Sequence, residues 1–116
     1  MGEKKQRYIE AVSELAQDVH SLCWDELSSS IQDRTLLVLF DTFGVAAAGA
    51  VTQEIVSITD TWSPTRGEVP LIATGRLTND VASCFLNGAA ICALELDEGS
   101  KYARGHPSAH VLPAVF

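Results

Sequence analysis

Acids, cations and imidazoles gather in residues 95–113, ELDEGSKYARGHPSAHVLP, after a long and mostly apolar stretch. Glu95, Asp97 and Glu98 offer carboxylates, and His106 and His110 offer imidazoles that titrate near neutral pH. The residues before this segment, 78–94, read as a helix, so the three acids fall at or just past its C-terminus, the negative end of the helix dipole. Pro107 is favoured at the first position of a helix, which puts His106 at the positive end of the next one. Both placements favour the uncharged forms and suit groups that trade protons. Local rules broken together in one cluster point to function. His106, Asp97 and Glu95 are therefore the candidate catalytic residues. The plainer reading of His106 is a capping or packing histidine.

Ser100, Lys101 and Arg104 lie in the connecting loop. Arg104 is suited to grip a carboxylate bidentately, Lys101 adds a point charge, and backbone N–H groups at a helix start donate to anions. This trio is the candidate substrate seat. An equally good reading has Lys101 and Arg104 neutralising Glu95, Asp97 and Glu98 at the surface. His106 and His110 have the i, i+4 spacing that suits zinc, but HPSAH lacks the glutamate of HExxH, and Pro113 works against a regular helix there by removing the bond to the Ala109 carbonyl. The cysteines are not clustered as an iron–sulfur centre requires. Neither a metal nor another cofactor is assigned.

Four helical patterns precede or deliver this segment. Residues 8–22 place Ile9, Val12, Ala16 and Val19 on one side, an amphipathic first helix. Serines at 28–30 offer caps for a second helix over 30–50, apolar enough to be buried nearly all round. Its GVAAAGA run is small enough for another backbone to approach closely. Asp41, amid Phe40, Phe43 and leucines, is expected to be hydrogen-bonded or protonated. Thr52 caps a third helix ending near Trp62, with Pro64 as the stop. Residues 63–76 read as a loop broken by Pro64, Gly67, Pro70 and Gly75, with a short extended piece at 71–74. The fourth helix starts at Thr78, Asn79 and Asp80 and is expected to use Val81, Phe85, Gly88 or Ala89, and Cys92 as one face.

The chain has 116 residues, 47% hydrophobic and 20% charged, enough for one folded domain rather than a disordered segment. A net charge of -7 argues against nucleic acid or an anionic membrane as partner, while a small polyanion remains compatible with the local cations. Three cysteines, Cys23, Cys84 and Cys92, without CxxC spacing read as reduced thiols of a cytoplasmic protein. MGEKKQRYIE has no secretory hydrophobic run, and residues 36–51 are too short to span a bilayer and contain Asp41.

Three stretches in order, LLVLFDTFGVAAAGA, FLNGAAICALELDE and ELDEGSKYARGHPSAHVLPA, resemble motifs of the MmgE/PrpD family, which includes 2-methylcitrate dehydratase, cis-aconitate decarboxylase and iminodisuccinate epimerase. The resemblance covers most of the chain after Ser28 and only the N-terminal portion of such proteins. It implies an all-α fold of packed helices forming part of a larger helical domain, with residues 1–116 truncated and the family's lid domain absent. It also implies a metal-free, cofactor-independent lyase, active as a homodimer on a small di- or tricarboxylate by proton transfer at carbon next to a carboxylate. Glu95 and Asp97 match the family's acidic positions, and His106 matches its motif histidine. Glu98 stands where many members have Asp. Gly99 and Ser100 stand where the decarboxylase branch has a threonine, and the spacing to His106 is longer, which weighs against decarboxylation in particular; dehydration of a 2-methylcitrate-like substrate is the first choice, with decarboxylation and epimerisation next. The competing reading is a catalytically silent helical piece or dimerisation domain with apolar faces left uncovered.

Overall fold

The computed structural model describes residues 2–62, 67–102 and 104–116. It is mainly helical, in the order α1 (Gly2–Ser21), a 3-10 turn (Trp24–Glu26), α2 (Ser29–Ala50), α3 (Gln53–Trp62), β1 (Val69–Pro70), β2 (Leu77–Thr78), α4 (Asp80–Cys92), α5 (Pro107–Val111) and a closing 3-10 turn (Leu112–Ala114). Two units divide the chain, Met1–Arg34 and Thr35–Phe116. In the first, α1 is amphipathic as its sequence requires, begins earlier than the periodicity suggests, and buries none of its residues. The Gln32 side chain ties back to the Trp24 carbonyl at 2.7 Å.

The second unit is organised around α4. Asn79 caps it, its side-chain oxygen accepting from the Ala82 N–H at 2.8 Å, which satisfies one of the four donors a helix start leaves open. The face α4 buries is Ala82, Ser83, Leu86, Asn87, Ala90 and Ile91. This differs from the expected face because the small and polar side chains have specific partners. Asn87 accepts from the Ile72 N–H at 2.9 Å and donates to the Pro70 carbonyl and to Ser83 Oγ, while Ser83 Oγ donates to the same carbonyl at 2.9 Å. Residues 71–76 are not extended. They turn between β1 and β2, which pair antiparallel as Val69 with Thr78 and Pro70 with Leu77. A two-residue strand is too short for alternation to reveal.

α2 meets α4 through its last two turns, where Ala46 packs with Ile91 and Ala109, and Ala50 with Ile55 and Ala90. Gly49 makes the approach possible, since a Cβ there would lie 1.9 Å from the Ala90 carbonyl oxygen; at Gly44 a Cβ would meet open space. The expectation of all-round burial for α2 is corrected: Thr42, Ala46, Gly49 and Ala50 are buried, whereas Phe40 is 80% exposed. Asp41 is exposed too, so water solvates its carboxylate and no partner is required. Thr52 caps α3 as its type predicts, its hydroxyl accepting from the Ile55 N–H and donating to the Gly49 carbonyl. The predicted stop at Pro64 lies outside the described residues. Tilted ring pairs Trp62–Phe85 and Phe43–Phe116 add contacts from α3 to α4 and from α2 to the final residue. Among the described residues no single helix is long and apolar enough to cross a membrane.

Candidate active site

α4 ends at Cys92, and the chain leaves it by an abrupt turn in which the Glu95 N–H donates to the Cys92 carbonyl at 3.1 Å and Glu95 takes a φ of 54°. Left-handed backbone at a non-glycine residue is uncommon and sharply redirects the chain. Arg104 does the same at the far end, with φ 51°, and the Ser100 N–H donates to the Gly105 carbonyl at 2.9 Å to close the loop. His106 follows as the residue before α5, with Pro107 at the first helical position as the sequence predicts.

This path brings Asp97 and His106 together. Nδ1 of His106 lies 3.1 Å from Oδ2 of Asp97, whose side chain is only 3% exposed, while the imidazole is 53% exposed. The Glu98 main-chain carbonyl is also 3.1 Å from Nδ1. A carboxylate and a carbonyl both accept, so Nδ1 carries the hydrogen, and in the neutral ring the lone pair resides on Nε2. Among the described residues Nε2 has no hydrogen-bond partner. A buried acid holding one imidazole nitrogen while the other is left open is the geometry by which an acid orients a general base. The Cys92 thiol donates to the same Asp97 oxygen at 3.5 Å. Partial burial pushes the Cys92 thiol above its usual range, and the Asp97 hydrogen bond and the charges of Asp97 and Glu95 push it further.

The remaining predicted residues divide. Glu95 is exposed, and no hydrogen bond among the described residues joins its side chain to the pair. Lys101 and Arg104 are exposed, and among the described residues neither forms an ion pair. Two of the three acids they were set to neutralise are engaged elsewhere, Asp97 by His106 and Glu98 by the Ser108 N–H at 3.2 Å. The helix start is accordingly not an open seat for substrate, because Pro107 has no N–H and the next one serves Glu98. Ser100 contributes backbone to the loop closure, its carbonyl accepting from the Arg104 N–H at 2.8 Å. His110 is not part of the pair. It lines an open apolar groove of about 510 Å³ between α4 and α5, together with Cys92, Phe85 and Pro113. Among the described residues no three His, Cys, Asp or Glu side chains converge as a metal site would require.

Sequence reasoning missed the contacts of Glu98 and Cys92. Both residues are visible in the sequence, but their roles depend on how the chain turns at Glu95, which residue types alone do not announce.

Residues 13–116 match the model of the MmgE/PrpD N-terminal domain, which is nearly the whole chain. The chain belongs to the MmgE/PrpD family. Neither the curated proteins nor the solved structures searched returned a match. The helical fold agrees with an MmgE/PrpD N-terminal domain, and the acid-to-imidazole segment that carried the resemblance is where Asp97 meets His106.

Proposed function

We propose that this MmgE/PrpD chain serves a cofactor-independent hydro-lyase acting on a small di- or tricarboxylate of the 2-methylcitrate kind. The observation that carries the reading is the Asp97–His106 contact of 3.1 Å, with the second ring nitrogen left open. Asp97 orients the imidazole. Nε2 of His106 removes the proton from carbon next to a substrate carboxylate. The C–H electron pair then forms the alkene and expels the hydroxyl on the adjacent carbon, which leaves as water on taking a proton from solvent. Lys101 and Arg104, uncommitted to the acids beside them, hold the substrate carboxylates and spread the charge that develops as the proton leaves. Ser100 belongs to the same loop, and Glu95 is the exposed acid within reach of solvent. Gly99 and Ser100, in place of the decarboxylase threonine, weigh against decarboxylation in particular.

The test is the ultraviolet absorbance of the conjugated alkene formed from 2-methylcitrate. His106→Ala is expected to abolish its appearance. Arg104→Ala is expected to raise KM by about ten-fold, the loss of one charge-assisted carboxylate contact. Full turnover by His106→Ala would overturn the assignment.

A second reading is favoured by the exposed apolar side chains Leu36, Leu37 and Phe40 on α2: a helical piece whose role is to dock, as in the homodimer proposed for this chain. Light scattering that finds a monomer with turnover would remove that reading. Placement in the cytoplasm rests on three cysteines without paired spacing.

A further inference from the structure

We infer that Glu98 is a positioning residue for the Asp97–His106 pair, acting through both its main chain and its side chain. The inference deepens the proposed proton transfer and rests on it for the catalytic readout. The Glu98 carbonyl shares the Nδ1–H of His106 with Asp97, each at 3.1 Å. Two acceptors on one nitrogen restrict the rotation of the ring that a single acceptor would permit. The Glu98 carboxylate meanwhile accepts from the Ser108 N–H at 3.2 Å, two residues beyond His106. One residue thus grips the histidine by its ring and by the backbone that follows it.

This grip is needed because the surroundings are weak. α5 has five residues, too few to hold its own start, since a helix nucleus is costly and short helices depend on tertiary contacts. The loop before it carries left-handed Glu95 and Arg104, and its backbone closure joins Ser100 to Gly105 without reaching His106 itself. Cutting the Glu98 carboxylate from Ser108 frees the Glu98 main chain to move and so removes the second acceptor from Nδ1. Asp97 alone then holds the ring.

The experiment combines ring ¹⁵N NMR of the full chain with solvent-deuterium exchange into 2-methylcitrate, in wild type, Glu98→Ala, Glu98→Leu and Glu98→Gln, each checked for native helical circular dichroism. Glu98→Leu keeps bulk without an acceptor; Glu98→Gln keeps an acceptor. In the wild type, His106 is expected to show the Nδ1–H tautomer, and Glu98→Gln is expected to preserve it. Glu98→Ala and Glu98→Leu are expected to shift it toward the Nε2–H form that free imidazole prefers, with exchange slowed about ten-fold in kcat and KM little changed. An unchanged His106 signature in both Ala and Leu variants, or an Nε2–H ring in the wild type, overturns the inference. If the ring responds as expected but the wild type exchanges nothing, the positioning stands and the proposed reaction fails. If the wild type exchanges and the Ala and Leu variants match it in rate and tautomer, the reaction stands and the positioning fails.

Discussion

Adding one methyl group at Gly49 should loosen the whole second unit, because Gly49 is where α2 and α4 touch backbone to backbone. The new Cβ would stand 1.9 Å from the Ala90 carbonyl oxygen and 3.3 Å from the Ala93 Cβ. Real Cβ atoms essentially never approach closer than 3.0 Å, so the helices must part by about 1 Å, and neither contacting atom belongs to a side chain that can swing away. Parting them loosens Ala46 against Ile91 and Ala50 against Ala90. Overpacking of this kind costs about 1–3 kcal/mol, a large share of the total stability of a small domain. With a urea m-value of about 1 kcal/mol per molar, the denaturation midpoint of Gly49→Ala should fall by about 1–3 M. Gly44→Ala is the control in the same helix. Its Cβ meets nothing, and replacing glycine by alanine in a helix interior should stabilise by about 0.5–1 kcal/mol. Opposite signs at the two glycines are the expected result. A Gly49→Ala midpoint equal to the parent's would refute the helix contact from which α4 is placed.

Two further outcomes follow from side chains around α4. Asn87→Ala should cost about 1–3 kcal/mol, because it leaves the Ile72 N–H without its acceptor, while the Pro70 carbonyl keeps Ser83 Oγ; faster hydrogen exchange at the Ile72 amide is the local readout. Cys92 should react slowly with iodoacetamide at pH 8, since burial and then the Asp97 hydrogen bond and charge hold its thiol above the usual range. Asp97→Asn removes one charge that disfavours the thiolate, so alkylation of Cys92 relative to the exposed Cys23 should accelerate. An unchanged ratio would place Asp97 away from Cys92.

The helices were legible because their ends carry physical signals: Asn79 and Thr52 as caps, Pro107 at a first helical position. What covers each helix was less so. Apolarity predicts that Phe40 and Leu36 seek burial, yet among the described residues both are largely exposed, because a sequence pattern names the side chains that want a partner and not the partner. On α4 the same reasoning picked Val81 and Phe85 and passed over Ser83 and Asn87, whose burial is secured by hydrogen bonds to a hairpin too short to register as strands. At the site, Asp97 and His106 could be named from the dipole argument and the family resemblance. Glu98 could not, because its grip on His106 and Ser108 depends on left-handed turns at Glu95 and Arg104, which those residue types seldom take.

In the proposed function Asp97 and His106 work as one proton-transfer unit. Its most direct test is the rate of deuterium entry from heavy water into the carbon-bound position of 2-methylcitrate, compared across wild type, Asp97→Asn, His106→Ala and the double variant. Residues acting as a unit give strongly non-additive losses, so the double variant should be no slower than His106→Ala alone. Losses that multiply, or an Asp97→Asn rate equal to that of the wild type, would contradict it.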